Sequence, residues 1–274
     1  MFLLKFSNHP FNCYNIFINN PFSKKFSLIV LLFIFANIEI SIAGNAGSLS
    51  NSETLELVNQ PTAGIITNGE LIRFRFAGNN NINISGEYFL QKRFVVGYGF
   101  NIMNLTGNEK VEISDLLGFI ARYRILNEHK YYPAFTLGID LQGKGEYFAL
   151  LKHSEFLPTG FYIAASKAFK WDLGYFSLHL GANYPISINK QYDKISSYFG
   201  FEQTISKYAS VNFEYDFASN SNPKFVLQKG ITNVAIRYSI SSDFTVGISI
   251  IDIFSTYSIP YRMLIMEYRS DFIR

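Results

Sequence analysis

A strict two-residue alternation of apolar and polar side chains recurs along most of this 274-residue chain. In 173–184, Leu178 and Leu180 alternate with Ser177 and His179. Further segments with the same period are 132–142, 208–217 and 231–240. A period of two is that of a β-strand whose two faces meet different surroundings. The chain is therefore predicted to be all-β.

About twelve such segments can be counted, and most have the ~9–11 residues that cross a bilayer at a tilt. They lie near 70–77, 81–91, 93–104, 115–126, 131–142, 158–170, 172–186, 194–205, 207–218, 230–240, 243–254 and 261–272. Short connections, such as 170–172, alternate with longer ones, such as 105–114 and 143–157. An even strand number with short turns at one end is typical of outer-membrane barrels. Residues 70–274 are therefore predicted to form a transmembrane antiparallel up-and-down β-barrel.

The composition agrees with strands that face lipid on one side. Aromatic residues make up 17 % of the chain and charged residues only 16 %, whereas an ordinary soluble domain carries about 25 % charge. The mean hydropathy of +0.09 is too low for a bundle of membrane helices. A secreted soluble β-barrel that binds an apolar ligand is the alternative that the alternation leaves open. Lys167 interrupts an apolar row, which predicts either a position at the barrel rim or a bulge that turns it inward.

The first 43 residues have the pattern of a secretory signal with a short apolar helix. Lys24 and Lys25 precede the apolar run 26–36, and Ser41-Ile42-Ala43 supplies small residues for cleavage after Ala43. The run is shorter than the ~20 residues that an uncleaved membrane anchor needs. The predicted location is the outer membrane of a Gram-negative bacterium.

Removal of residues 1–43 also removes Cys13, the one cysteine in the sequence, so no cysteine-based site is expected. These residues hold three of the 24 basic and one of the 21 acidic side chains, which leaves 21 and 20. This balance gives no reason to expect nucleic-acid binding.

Residues 44–69 are polar and contain Pro61, Gly64 and Gly69. They are predicted to form a periplasmic lead-in that plugs or braces the barrel mouth. With an even strand number, both chain ends and the short turns lie on the periplasmic side, and the longer loops are extracellular.

With the apolar face outward, the inward face collects six arginines and six carboxylates. They are Arg73, Arg75, Glu87, Arg122, Arg124, Asp140, Glu202, Glu214, Asp216, Arg237, Glu267 and Arg269. One interpretation is a lining that selects or holds a polar or anionic solute. The other is a structural network of Arg–carboxylate pairs in a narrow lumen. We favour the second because unpaired enclosed charges are costly.

Ser177, His179 and Asn183 share one strand face, as the catalytic side chains of outer-membrane phospholipases do. That chemistry must open toward lipid, whereas these residues are predicted to face inward, so an enzyme is not expected. The histidines that follow residue 43 are scattered, without ligand spacing, and predict neither a metal site nor a cofactor.

A set of stretches along the chain carries a family resemblance: Pro61-Thr62-Ala63-Gly64 with Gly69 and the strand 73–76, and 121–126, 137–145, 160–169, 178–184, 200–202 and 213–216. These stretches resemble uncharacterised outer-membrane β-barrels of the YjbH-like kind. The resemblance implies a membrane barrel without catalytic residues and, for some relatives, a link to exopolysaccharide export. We therefore expect a monomer with a transport, export or scaffold role. Its partners are expected to be outer-membrane lipid and a polysaccharide or export-machinery proteins.

Overall fold

The structure is a computed structural model that describes residues 53–66, 69–77, 81–90, 93–105, 110–114, 118–148, 153–156, 160–186, 194–219, 230–254 and 260–270. All regular elements in these ranges are β-strands. The predicted signal peptide, with Cys13 and the cleavage point after Ala43, lies outside the described residues, as does the lead-in part 44–52.

The described residues form fifteen β-strands. They are β1 (Gly69–Ala77), β2 (Asn81–Leu90), β3 (Phe94–Met103), β4 (Glu112–Ile113), β5 (Gly118–Leu126), β6 (Ala134–Asp140), β7 (Lys144–Phe148), β8 (His153–Phe156), β9 (Gly160–Trp171), β10 (Gly174–Tyr184), β11 (Ser196–Ile205), β12 (Ala209–Asp216), β13 (Ile231–Ser239), β14 (Phe244–Ile251) and β15 (Tyr261–Ser270).

Twelve of these strands, all except β4, β7 and β8, form one closed antiparallel barrel. Each pairs with its neighbour in chain order, and β1 closes the ring against β15, from Glu70 opposite Ser270 to Ala77 opposite Met263. Closure uses the hydrogen-bonding edge of every barrel strand, which removes the exposed edges that an open sheet would have. The predicted fold class, an up-and-down barrel of about 12 strands, is confirmed.

Each predicted strand overlaps one barrel strand, and the loops hold the differences. The short strand β4 lies in the predicted loop 105–114, and the separate pair β7–β8 lies in the predicted loop 143–157. These strands span two to five residues. They were not predicted because a two-residue alternation cannot be recognised over so few residues among glycines and polar side chains.

The two faces of each strand differ as the alternation predicts. On β10, Leu178 and Leu180 are 43 % and 61 % exposed, whereas Ser177 and His179 are 1 % and 3 % exposed. On β11 and β12, outward aromatic rings pair across the strands; Phe201 and Phe213 stack with ring centroids 5.0 Å apart. Cross-strand aromatic pairs of this kind stabilise a sheet. The barrel thus has an apolar outer surface and a polar interior.

Lys167 belongs to the outward row and lies at the rim. Its Nζ is 3.3 Å from a carboxylate oxygen of Glu128 and donates to the carbonyl of His129, both in the connection between β5 and β6. The irregular pairing of β9 with β10 is at Tyr184 and not at Lys167, so the rim position rather than a bulge accommodates the charge.

Candidate functional site

The lumen of the barrel is filled by residues 53–66, here called the plug. All of its residues except Glu53 are buried. The plug folds back on itself, since Leu57 N donates to Gln60 O and Thr62 N donates to Leu55 O, each at 3.0 Å. Its further hydrogen bonds reach strands on all sides of the ring, from β1 and β5 to β12 and β13.

The carboxylate of Glu214, on β12, makes three hydrogen bonds to the plug. Its Oε2 accepts hydrogen bonds from three successive backbone N–H groups, those of Val58, Asn59 and Gln60, at 2.9, 2.8 and 2.8 Å. Its Oε1 accepts from the amide of Asn233 at 2.7 Å. Glu214 has no solvent exposure, so this charge is balanced by N–H dipoles of the plug rather than by water.

Two more carboxylates on the same side of the lumen bind donors of the plug. Glu202 accepts from the Thr54 hydroxyl at 2.5 Å. Asp216 accepts from Gln60 Nε2 at 2.6 Å. This side of the wall, formed by β11 and β12, therefore accepts hydrogen bonds from backbone amide, hydroxyl and side-chain amide groups.

The arginines on β1 bind a carboxylate of the plug. Arg75 donates from Nη2 to Glu56 Oε2 at 2.5 Å, and Arg73 Nη1 lies 3.4 Å from the same oxygen. Arg75 also donates to Asn83 at 2.6 Å. The side chains of Arg73, Arg75 and Glu56 are all about 2–3 % exposed, so Glu56 neutralises charge in a place that solvent hardly reaches.

The arginines on β5 hold the beginning of the plug. Both terminal nitrogens of Arg124 contact the carboxylate of Glu53, one of them at 3.3 Å. Such two-pronged pairing is the strongest geometry that arginine offers a carboxylate. Arg122 donates to the carbonyl of Leu55 at 3.1 Å.

Backbone carbonyls of the plug are bound on other strands. Arg237, on β13, donates to the carbonyls of Glu56 and Leu57 at 2.9 and 2.7 Å. The Tyr198 hydroxyl donates to Pro61 O at 2.8 Å. The tyrosine ring covers Gly181, where a Cβ atom would come within 2.2 Å of it, so a glycine is required opposite this residue.

Pairs between wall residues, which the sequence analysis expected throughout, occur around Arg73. Arg73 Nε lies 2.6 Å from Glu267, and Glu87 lies between Arg73 at 3.2 Å and Arg122 at 3.3 Å. Asp140 accepts instead from the backbone N–H of Gln142 at 2.9 Å. Arg269 lines a small cavity with Arg73, Arg237 and Glu267.

The lumen charges differ in their partners. Arg73, Arg122, Glu87 and Glu267 form ion pairs within the wall, and Arg73 and Arg122 also contact the plug, at Glu56 and at the Leu55 carbonyl. Six further charges contact the plug: Arg75, Arg124, Arg237, Glu202, Glu214 and Asp216. Sequence reasoning did not identify Glu53, Thr54, Glu56 or Gln60 as functional residues. The available signal was a pair of glutamates in a segment otherwise poor in charge, next to a wall that contains six arginines.

The cavity beside Arg269 has a volume of about 40 Å³ and lies at the end of the barrel that carries the short turns, since Tyr208 lines it. A water molecule needs about 10–15 Å³ of such space. The cavity therefore has room for about three waters.

The candidate hydrolase residues face the lumen and do not form a catalytic arrangement. His179 Nδ1 is hydrogen-bonded to Ser166 Oγ at 2.8 Å, and Asn183 donates to Gln60 at 2.9 Å. Ser177 Oγ has no hydrogen-bond partner among the described residues. A serine nucleophile needs a histidine within hydrogen-bonding distance, and Ser177 has none.

The described part of the chain contains neither a membrane-crossing helix nor a group of metal ligands. No helix there is long and apolar enough to cross a membrane. No group of three histidine, cysteine or acidic side chains there could hold a metal ion.

Comparison with known proteins adds weak similarities of fold. No protein-family model matches the chain, and no curated protein is significantly similar to it. One similar solved structure comes from a study of in-meso crystallization of membrane proteins, with a TM-score of 0.38, 10 % identity, and 75 % of this chain and 85 % of that chain covered. Another is a NanC porin, with a TM-score of 0.37, 9 % identity, and 74 % and 98 % covered.

Proposed function

We propose that the protein is an integral outer-membrane β-barrel of a Gram-negative bacterium with a transport, export or scaffold role. The observation that carries the proposal is the reversal of polarity across the barrel wall. Outward residues such as Leu137 and Ile236 are 46 % and 58 % exposed, whereas Arg75 and Glu214 face inward with 1 % and no exposure. An apolar outside around a polar inside is stable in a bilayer.

This polarity disfavours the alternative of a secreted barrel that binds an apolar ligand. Such a protein needs an apolar interior and a polar surface. Here the interior contains charged side chains and a polypeptide segment, and aliphatic and aromatic side chains cover the outside.

The plug sets a condition on transport. It contacts the wall on all sides, so a solute can pass only after the plug moves, whereas a scaffold role needs no movement. The ladder of the barrel is complete without the plug, whose one bridge, Glu56 with Pro61, is internal. Displacement therefore leaves the sheet intact, and this supports a gated transport role over a purely structural one.

A role in exopolysaccharide export, with polysaccharide or export-machinery proteins as partners, is proposed from the YjbH-like resemblance. The sequence stretches that resemble those barrels support it. The genes that neighbour this one provide a direct check, since glycosyltransferase and polymer-export genes are expected beside it.

Membrane location is tested by fractionation combined with gel mobility before and after boiling. A folded outer-membrane barrel is expected in the outer-membrane fraction and to change mobility on heating. Recovery of a heat-insensitive protein in the soluble periplasmic fraction would contradict the proposal.

Transport is tested by planar-bilayer conductance of the purified protein. The wild type is expected to conduct little, and variants with a weakened plug are expected to conduct. If weakened-plug variants that still form a barrel remain silent, the scaffold role stands and the transport role does not.

A further inference from the structure

Four arginines form one sector of the lumen wall. Arg73 and Arg75 are on β1, Arg122 and Arg124 are on β5, and β2 and β3 lie between these strands in the ring. The wall carboxylates that contact this group are Glu87 and Glu267.

Four arginines and two carboxylates leave an excess of two positive charges in this sector. The plug supplies two carboxylates there: Glu56 for Arg75 and Arg73, and Glu53 for Arg124. An arginine fork enclosed in a protein is suited to bind a carboxylate in two-pronged geometry. The sector thus has room and charge for carboxylates that do not belong to the barrel wall.

The opposite side of the lumen has the complementary chemistry. In the ring of twelve strands, β11 and β12 are separated from β2 and β3 by four strands in either direction. Their carboxylates Glu202, Glu214 and Asp216 accept from hydroxyl and amide donors of the plug. The wall of the arginine sector therefore has an excess of positive charge, whereas β11 and β12 carry three carboxylates, with Arg237 beside them on β13.

We propose that the lumen is a binding site for a carboxylate-bearing solute, and that the plug occupies it as an internal ligand. The arginine sector receives the carboxylate, and Glu202, Glu214 and Asp216 receive hydroxyl or amide donors from the other side of the solute. A carboxylate-bearing solute is thus the solute class for the proposed transport role. Binding in the lumen does not depend on that role, whereas entry and exit of the solute do.

The first test measures the site without transport. In the full-length protein, Glu56→Ala removes the internal carboxylate and is expected to lower the unfolding temperature by about 5–10 °C. Sodium formate or acetate is expected to restore a large part of this loss, whereas sodium chloride at the same ionic strength is not, because the small carboxylates reoccupy the arginine sector.

The control for this test is Glu128→Ala, which removes a carboxylate outside the lumen and is expected to show no recovery specific to formate. Glu53→Gln is a milder second variant, since the Glu53 side chain is 28 % exposed. Equal recovery by formate and chloride in both Glu56→Ala and Glu53→Gln would overturn the proposal.

The second test measures solute recognition in planar bilayers with the double variant Glu53→Gln and Glu56→Gln. Glucuronate, which carries a carboxylate and hydroxyls, is expected to reduce the current at about tenfold lower concentration than glucose, which has hydroxyls alone. Adding Arg75→Gln is expected to abolish the difference.

The outcomes separate this proposal from the transport role. A current that glucuronate and glucose affect equally overturns the carboxylate site and leaves transport standing. No current, together with formate recovery in the first test, overturns transport and leaves the carboxylate site standing.

Discussion

Replacement of Glu214 by alanine is expected to release the plug while leaving the barrel closed. Glu214 contributes only its backbone to the ladder between β11, β12 and β13, where it pairs with Gly200 and Asn233. Its side chain, in contrast, holds three successive N–H groups of the plug. The substitution therefore acts on the plug far more than on the sheet.

The expected magnitude follows from these contacts. A hydrogen bond to a charged group contributes about 1.5–3 kcal/mol, so the three bonds to the plug and one to Asn233 are large in sum. Water that enters the vacated space replaces part of them. A net loss of about 3–5 kcal/mol, as for one partner removed from a buried charge pair, is expected. At about 1.4 kcal/mol per tenfold change, transient exposure of the plug rises by about two to three and a half orders of magnitude.

The assay is limited digestion of the folded protein by a protease that cuts after glutamate. Glu53 and Glu56 are the cleavage sites within the plug. The wild type is expected to resist cleavage after Glu56, which is 3 % exposed, and Glu214→Ala is expected to yield a new N-terminus at Leu57. Glu214→Gln keeps an oxygen acceptor and is expected to be intermediate, and Glu128→Ala is the control for loss of a carboxylate outside the lumen.

The reasoning is refuted if Glu214→Ala forms a heat-modifiable barrel whose bond after Glu56 is cut no faster than in the wild type. Such a result would mean that the apolar contacts of the plug hold it without the carboxylate. Those contacts are the buried cluster of Val58 with residues of β13–β15 and that of Leu55 with residues of β1–β3.

Three further predictions concern the outer face, the lumen charges and the rim. Leu137→Asp is expected to impair membrane assembly because it puts a charge on the outward face, at about 2–4 kcal/mol near mid-bilayer; equal amounts of assembled Leu137→Asp and Leu137→Ala would contradict this facing. Arg122→Ala, which leaves Glu87 without one of its two arginines, is expected to lower the unfolding temperature more than Asp140→Ala, which removes an acceptor of the Gln142 backbone N–H; thermal unfolding checks the order. Burial raises the pKa of Glu128 above its ordinary value of 4.5. The Glu128 carboxyl group therefore loses its proton at lower pH in the unfolded chain than in the folded protein. The wild type is expected to lose stability relative to Glu128→Gln as the pH rises through and above 4.5. Unfolding of both proteins across this pH range tests the direction of the change.

The barrel could be predicted from sequence because the alternation acts strand by strand. Leu178 and Ser177 differ in polarity, and this difference alone assigns them to opposite faces without knowledge of any neighbour. The twelve inward charges follow from the same assignment. Lys167 could be restricted to two environments but not paired with Glu128, because the approach of these residues depends on the register between β6 and β9.

The partners of the lumen charges could not be predicted for a related reason. Hydrogen bonds such as that of Thr54 with Glu202 join residues 148 positions apart, and no local period marks them. The sequence predicts that 44–69 plugs or braces the barrel mouth and that the lumen charges pair with one another, whereas Arg75 and Glu214 bind the plug. An irregular segment inside a barrel is recognised only after its neighbours are known.

The short connection between the plug and β1 determines how hard the lumen is to empty. Residues 67 and 68 alone separate Ile66 from Gly69, so a dissociated plug stays beside its own binding site at an effective concentration of about millimolar or above. A diffusing solute of weak affinity competes poorly with such a tethered competitor. Opening of the lumen is therefore expected to depend only weakly on the concentration of solute outside. It is expected to respond more steeply to a pulling force on the chain that precedes Glu53, or to loss of the carboxylates of the plug.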